Sequence, residues 1–210
     1  MATEIEMKLA FETDFKEPQI KALESVLQAL GCEYAVSKKN LENAYFDTPD
    51  FLLNQHKVAL RIRQKINDQG DNVFIQTFKT AGQSVNGLSQ RGEWEWTLPE
   101  NSLNLNELQQ CEAWPKTIGL ASLVAVFETN FTRYLANINW GESTVELVLD
   151  WGHIISGGKQ EKIHEIELEL KTGNQEDLRS LSEQLKKYLS LLACDTSKAE
   201  RGFKLFKSLA

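Results

Sequence analysis

The sequence predicts an α+β fold, a closed eight-stranded antiparallel β-barrel with helices packed on its outside. Three observations lead to this fold class. Several segments alternate charged and apolar residues with a period of two, two other segments carry apolar residues at helical spacing, and acids and bases are sorted onto different strands. An open sheet would leave these charged faces in water, whereas a closed barrel would bring them together in a hydrated interior.

Turn and cap signals divide the first part of the chain into strands with one main helix among them. Pro18 begins this helix and Gly31 ends it, with apolar residues at helical spacing in between. Asn, Asp and Gly in the stretch 67–71 indicate a hairpin turn. The predicted elements are a strand 2–11, a helix 18–30, an extended segment 42–47, a turn 47–50 that caps a short helix through 53, and strands 58–65 and 73–79.

Glycine and proline also mark boundaries in the rest of the chain. Pro115 interrupts a helical pattern, and Gly141-Glu142 indicates a turn between two long strands. The predicted elements are a Gly- and Ser-bearing stretch 81–87, a strand 88–98, helical pieces between 104 and 124, strands 127–140 and 144–155, a turn 157–159, a strand 162–171, a helix 175–192 and a last helix from 198 to the chain end. The helices 18–30 and 175–192 are expected to cover the apolar sides of the strands.

Composition restricts the class of protein. The 210 residues fit one domain, residues 1–210, and 41% hydrophobic with 25% charged residues is ordinary for a globular chain. We expect a cytoplasmic protein without membrane contact, because no apolar run approaches the roughly 20 residues of a membrane span and the start lacks a signal-peptide pattern. The net charge of −7 argues against nucleic acid, and the cysteines at 32, 111 and 194 form no CxxC pair.

The charged strand faces indicate a site for a polyanion and a metal ion. In Glu4-Ile5-Glu6-Met7-Lys8, two carboxylates and an ammonium share one face. Two acids one pleat apart can share a hard divalent cation, and a neighbouring lysine can hold an anion that the cation also touches. Acids concentrate on the first and the last two strands and bases on Leu60 to Arg63 and at Lys79. Arginine is frequent at these positions, and its planar fork suits phosphate oxygens.

The charged motifs follow one another in a fixed order along nearly the whole chain. They are ExExK at 4–8, YxDT at 45–48, LRxR at 60–63, a strand ending at Lys79, Arg91 within SQRGE, Arg133 after Thr132, Asp150 at the end of LVLD, EIELE at 165–169 and SKAERG at 197–202. In these residues the chain resembles the CYTH domain, also called the triphosphate tunnel metalloenzymes. Within that family it is most similar to bacterial inorganic triphosphatases.

The resemblance implies an eight-stranded tunnel that hydrolyses inorganic triphosphate to diphosphate and phosphate with Mg²⁺ or Mn²⁺. The residues expected to bind the substrate are Lys8, Arg61, Arg63, Lys79, Arg91, Arg133, Lys198 and Arg201. Those expected to bind the metal are Glu4, Glu6, Asp150, Glu165, Glu167 and, less centrally, Glu169. Lys8, Tyr45 and Glu167 are the expected catalytic groups, with Tyr45 interacting with Lys8. Phosphoryl transfer by positioning and charge neutralisation needs no covalent nucleophile.

Several alternatives stay open on the sequence alone. Thiamine triphosphatase, nucleoside triphosphatase, adenylate cyclase and a noncatalytic polyphosphate-binding module use similar basic strands, and the chain is expected as a monomer or homodimer. Tyr45 could instead be a packed aromatic residue, and Asp47 is interpreted as a turn residue rather than a ligand. Glu93 and Glu95 are either supporting or exposed charges, and the tryptophans are interpreted as core residues.

Overall fold

The computed structural model describes residues 2–66, 70–120 and 123–208. The strands are β1 (Ala2–Phe11), β2 (Val36–Asp47), β3 (Ala59–Ile66), β4 (Asn72–Lys79), β5 (Gln83–Val85), β6 (Leu88–Leu98), β7 (Val124–Trp140), β8 (Ser143–Ser156), β9 (Lys159–Thr172) and β10 (Leu191–Ala193). The helices are α1 (Ile20–Ala29), α2 (Leu52–Gln55), α3 (Leu105–Gln110), α4 (Gln175–Tyr188) and α5 (Lys198–Lys207).

Eight antiparallel strands close into a barrel. Their order is β1-β9-β8-β7-β2-β3-β4-β6, and β6 pairs again with β1 to complete the ring. The short strands β5 and β10 extend the sheet from β6 and β1 and are not part of the ring. The predicted fold class is therefore confirmed. Closure matters for the interior because a sheet without free edges keeps alternate side chains on an inner face throughout.

Several predicted boundaries differ from the structure. Strand β2 begins at Val36, six residues before the predicted extended segment, and helix α4 ends at Tyr188 because the chain then forms β10. Helical structure between 104 and 124 is short, and α3 is its one α-helix among the residues described there. Of the predicted turn at 67–71, residues 67–69 lie outside the described ranges. No helix in the described part of the chain has the length and apolar character of a membrane span.

Two apolar cores lie on the outer face of the barrel. In the larger core, α1 and α4 cover β1, β7, β8 and β9 through fully buried side chains such as Leu27, Leu149 and Leu181. The predicted covering role of these two helices is confirmed. The second core packs α2, α3 and the following loop, including Trp114, on β3 and β4. Because the apolar residues face outward into these cores, the alternating polar residues face the barrel interior.

A third cluster fills one end of the barrel with aromatic rings. The Tyr45 ring stacks on Phe127 with ring centroids 4.5 Å apart, and Phe203 of α5 meets the Phe127 ring edge-on at 5.1 Å. Gly202 permits this approach, since a Cβ added there would lie 2.1 Å from a ring carbon of Phe127. Helix α5 thus packs close against this end, and its first residues form part of the wall of the interior.

Asp47 ends β2 and caps the short helix that follows. The side chain is fully buried, and its Oδ1 accepts hydrogen bonds from the backbone amides of Thr48 and Leu53 at 2.7 and 2.8 Å. Its Oδ2 accepts from the amide of Asn54 at 3.0 Å. These bonds satisfy amide groups that the first turn of α2 leaves free. The interpretation of Asp47 as a turn residue is confirmed.

Candidate functional site

The barrel interior holds a charged cavity of about 330 Å³. All residues predicted for the site line this cavity except Asp150, Glu165 and Arg201. The residues that line it as predicted are Glu4, Glu6, Lys8, Tyr45, Arg61, Arg63, Lys79, Arg91, Arg133, Glu167, Glu169 and Lys198. They come from seven of the eight barrel strands and from the start of α5, so only the closed fold brings them together.

Strand register explains which charges meet. Across β1 and β9, Glu6 lies opposite Glu169 and Lys8 lies opposite Glu167. Across β1 and β6, Glu4 lies opposite Arg91. Directly opposed residues on one face have their Cβ atoms about 4.5–5.5 Å apart, so their charged ends can touch.

Two cations hold the carboxylates of the first strand. The Arg91 guanidinium donates to Glu4 Oε2 and to Glu6 Oε1, each at 2.8 Å, and Lys79 Nζ donates to Glu4 Oε1 at 2.7 Å. Burial acts to raise the pKa of Glu4, but Lys79 and Arg91 outweigh it and lower the pKa to about 2. Glu4 is therefore ionised at neutral pH, as a metal ligand must be.

Arg61 and Arg63 are partly buried positive charges without a carboxylate in ion-pair distance among the described residues. Neither forms an ion pair within 4.0 Å in the ranges that the structure describes, and Arg61 Nε has no hydrogen-bond partner there. Arg63 Nε donates to the amide oxygen of Asn43 at 2.8 Å. Burial, with Arg61 and Arg133 nearby, lowers the pKa of Arg63 to about 9. Glu93 and Glu95 act on Arg61 only from beyond ion-pair distance, so both guanidinium groups can still bind an anion.

The Tyr45 phenol lies beside Arg61 rather than in the expected pair with Lys8. Burial acts to raise the pKa of Tyr45, but the Arg61 charge and hydrogen bond outweigh it, so the pKa is lowered. Lys8 Nζ instead approaches Glu6 Oε1 at 3.6 Å and Glu167 Oε1 at 4.0 Å. Tyr45 is also the packed aromatic residue that the sequence left as an alternative, since its ring stacks on Phe127.

Three carboxylates meet next to the start of α5. One oxygen from each of Asp150, Glu165 and Glu167 lies within 4.8 Å of the others, which is close enough to hold a metal ion. The ammonium of Lys198 lies among them. Arg201, which was expected to share the Lys198 role, donates instead to Glu161 and Glu165 and does not line the cavity.

The prediction missed four charged residues of the cavity wall, Lys39, Lys65, Glu146 and Lys171. Each lies on the same strand as a predicted site residue and an even number of residues away from it. Lys65 follows Arg63 by two and Lys171 follows Glu169 by two, so extending the alternation would have found them. Lys39 was missed because the predicted segment 42–47 begins too late.

The two ambiguous glutamates both lie at the cavity wall, and Glu95 is exposed there. Glu93 pairs with Lys79 at 3.1 Å, and Glu95 accepts a hydrogen bond from Thr77 at 3.0 Å. Both line the cavity. The interior therefore combines a cation-rich wall on β3 with carboxylates on β1, β6, β8 and β9, an arrangement suited to a polyanion bound together with a divalent cation.

Comparison with known families agrees with this geometry. The model of the CYTH domain matches residues 2–203. The chain belongs to the CYTH domain family. Its described barrel, with basic and acidic side chains on one inner face, is thus a CYTH barrel.

One curated relative of this CYTH domain is the inorganic triphosphatase of Haemophilus influenzae. The two are 34% identical over 211 residues, which is 98% of this chain and 55% of the relative. The chain thus spans about half the length of the curated relative it matches.

Solved structures of similar fold extend the comparison. A protein from Hippeastrum, described as a candidate adenylyl cyclase with a dominant triphosphatase activity, has a TM-score of 0.62 at 22% identity and covers 98% of this chain and 95% of its own. A protein from Bacillus halodurans, described as a candidate adenylate cyclase, has a TM-score of 0.55 at 22% identity and covers 97% of this chain and 100% of its own. At these identities the likeness shows the fold.

Replacement of Arg61 tests whether its charge binds an anion or stabilises the folded protein. Because Arg61 has no carboxylate partner, we expect Arg61→Ala to weaken binding of inorganic triphosphate roughly 10- to 100-fold, the loss of about 1.5–3 kcal/mol from a charge-assisted hydrogen bond. We expect the urea concentration at which half of the Arg61→Ala protein is unfolded to be equal to or higher than that of the parent. Isothermal titration calorimetry in metal-free buffer and urea unfolding measure the two quantities.

Arg179→Ala on the outside of the barrel is the matched control and should change neither quantity. Arg179 is partly exposed and pairs with Glu176 within its own helix. A lowered urea midpoint with unchanged triphosphate affinity in Arg61→Ala would show that Arg61 is structural.

Proposed function

We propose that this chain is a metal-dependent hydrolase that splits inorganic triphosphate into diphosphate and phosphate inside the barrel. The observation that carries the proposal is the pair Arg61 and Arg63. These two partly buried guanidinium groups have no carboxylate within 4.0 Å in the described ranges and face a cavity with acidic side chains on its opposite wall. The curated Haemophilus relative, named an inorganic triphosphatase, supports the same activity.

The cavity has the charges that a triphosphate requires. Triphosphate carries about four negative charges near neutral pH, and burying them without partners would cost far more than folding provides. Arg61 and Arg63 supply two positive charges that form no ion pair within 4.0 Å in the described ranges. Lys8, Lys79, Arg91 and Arg133 supply further donors that now pair with the acidic residues. They can exchange a carboxylate for a phosphate oxygen when the substrate enters.

The donor set of the acidic wall fits Mg²⁺ or Mn²⁺. All candidate ligands are carboxylate oxygens, which these hard cations prefer, and no histidine or cysteine lines the cavity in the described ranges. The residues that would hold the ion are Glu4, Glu6, Glu167 and Glu169, the predicted metal ligands that face the cavity. A bound divalent cation neutralises phosphate charge and activates water. Asp150 and Glu165, predicted as further ligands, do not line the cavity.

The residues of the chain account for the rest of the reaction. Arg61 and Arg63 would hold the phosphate chain. Tyr45, which lies opposite Arg61 on the neighbouring strand, would keep the Arg61 guanidinium in place through their hydrogen bond. Glu167 would orient a water molecule for in-line attack on the terminal phosphorus, and Lys8, next to Glu167, would neutralise the charge that develops there. Diphosphate leaves without a covalent intermediate, so the reaction needs no serine or cysteine nucleophile.

The cavity wall favours an inorganic substrate over an organic triphosphate. Tyr45 is the one aromatic residue that lines the cavity in the described part of the chain, and its ring is buried against Phe127. A thiamine or nucleoside triphosphatase would need an apolar or aromatic surface for its organic group, and a cyclase would need to hold adenine and ribose. The apolar residues of the wall, such as Leu41, Ile75 and Val148, are aliphatic and offer no ring for stacking. The opposite, more open part of the wall carries Lys39, Lys65 and Glu95 instead.

A substrate panel tests the proposed activity directly. Purified protein with Mg²⁺ or Mn²⁺ is incubated with inorganic triphosphate, thiamine triphosphate, ATP and long-chain polyphosphate, and released phosphate is measured. We expect hydrolysis of inorganic triphosphate, little of the others, and loss of activity on addition of EDTA that returns with the metal. Formation of cyclic AMP from ATP, or preference for an organic triphosphate, would overturn the proposal.

Replacement of Glu6 tests the proposed metal ligands. We expect Glu6→Gln to raise the Mn²⁺ concentration for half-maximal activity roughly 10- to 100-fold, the scale seen when support of a metal ligand is lost, because an amide oxygen is a weaker ligand than a carboxylate. Glu42→Gln is the matched control, since Glu42 is exposed on β2. Equal metal requirements in both variants would remove Glu6 from the site.

A further inference from the structure

Two lysines of the cavity wall have no carboxylate partner. Lys39 of β2 and Lys65 of β3 both line the cavity, and among the described residues neither forms an ion pair within 4.0 Å or a side-chain hydrogen bond. The other lysines of the wall all pair with carboxylates, and they are Lys8, Lys79, Lys171 and Lys198. The ammonium groups of Lys39 and Lys65 are therefore available to an anion that enters the cavity.

These two lysines lie at the end of the barrel away from α5. Tyr45, whose ring packs at the α5 end, lies opposite Arg61, and Lys65 follows Arg61 by four residues. Strands β2 and β3 are antiparallel, so Lys39, which precedes Tyr45 by six residues, lies at the same end as Lys65. Lys39 is exposed and Lys65 is partly exposed. This end of the cavity is therefore open to solvent.

Lys65 extends the row of cations on β3. Arg61, Arg63 and Lys65 lie on one face at every second residue, so successive members are about 7 Å apart along the strand. The proposed reaction takes place at the α5 end, because Glu167, which would orient the attacking water, pairs with the first residue of α5. A triphosphate held with its reacting end there and its middle along the row directs its other end toward Lys65 and Lys39.

The other end of the phosphate chain differs between an inorganic and an organic triphosphate. In inorganic triphosphate it is a second free terminal phosphate, which carries a charge of about −1.5 to −2 near neutral pH. In a nucleoside or thiamine triphosphate the same position is a phosphate ester, which carries about one negative charge and an organic group. The free end thus offers two ammonium groups more charge and one more oxygen than the ester does.

We propose that Lys39 and Lys65 are specificity-determining residues that recognise the second free end of inorganic triphosphate. Their ammonium groups pair with the terminal phosphate at the open end of the barrel, and an ester at that position gives them less charge to bind. This role rests on the proposed function for its substrate class, but it concerns binding and is measured without turnover. Lysines that served only to attract anions would strengthen the binding of every triphosphate alike.

Binding of two ligands that differ by one methyl group tests this role. Inorganic triphosphate and methyl triphosphate, in which one terminal phosphate is a methyl ester, are compared by isothermal titration calorimetry in metal-free buffer at neutral pH. We expect the parent to bind inorganic triphosphate roughly 10- to 100-fold more tightly, the scale of a charge-assisted hydrogen bond. Lys39→Met/Lys65→Met should abolish this preference, because affinity for inorganic triphosphate falls while affinity for the ester stays nearly unchanged.

Two further variants control for charge and position. Lys39→Arg/Lys65→Arg keeps both charges and should keep the preference. Lys38→Met is the matched control, since Lys38 is exposed on β2, lies over the Tyr134 ring and does not line the cavity, and it should alter neither affinity. Because Lys39 and Lys65 reach solvent, we expect all of these variants to fold as the parent does.

The outcomes separate this role from the catalytic proposal. An equal loss of affinity for both ligands in Lys39→Met/Lys65→Met would show that the lysines only attract anions and would overturn the role. A parent that binds both ligands equally, or a double variant that retains the preference, overturns it even if the parent hydrolyses inorganic triphosphate. A preference that disappears with the two charges supports it even if the parent hydrolyses neither ligand.

Discussion

Neutralisation of charge inside a closed sheet is the constraint on which the rest of this structure depends. An ionised side chain removed from water without a partner costs several kcal/mol or more, so each inward charge must meet an opposite one or a ligand. The barrel satisfies this requirement by strand order. The acids of β1 and β9 lie on neighbouring strands. Arg91 from β6 and Lys79 from β4 pair with Glu4 of β1 from the side opposite to β9.

The same constraint divides the interior into regions with different chemistry. At one end of the barrel, the ammonium of Lys198 forms ion pairs with the carboxylates of Asp150, Glu165 and Glu167. On β3 the guanidinium groups of Arg61 and Arg63 form no ion pair within 4.0 Å in the described ranges, so this wall is suited to binding an anion. Between them lie carboxylates whose present partners can be exchanged. A site that binds an anion and a cation together needs this unequal distribution, because a uniformly balanced interior would hold neither.

Much of this arrangement could be predicted from the sequence because a strand has a fixed period. Glu4, Glu6 and Lys8 had to share a face, and opposite charges sorted by strand favoured a closed barrel over an open sheet. The short strands β5 and β10 were missed because three residues give no periodicity. Lys39 was missed for a different reason, since the exposed start of β2 has no alternation between apolar and polar residues.

The pairing of individual charges could not be predicted, because it depends on register and on long-range approach. Lys198 and Arg201 lie three residues apart on one helix, yet one enters the barrel and the other binds Glu161 outside the cavity. Tyr45 meets Arg61 rather than Lys8 because β2 pairs with β3. The sequence shows these side chains only as acids and bases. Their individual roles depend on the neighbouring side chains with which the fold brings them into contact.

A structure of the protein with inorganic triphosphate bound tests the central claim most directly. Crystals grown with triphosphate and Ca²⁺ as a slow substitute for the proposed metal should show the phosphate chain within the barrel, its oxygens within hydrogen-bond distance of Arg61 and Arg63. Triphosphate bound only on the outer surface, with Arg61 and Arg63 left without an anion at saturating ligand, would contradict the account.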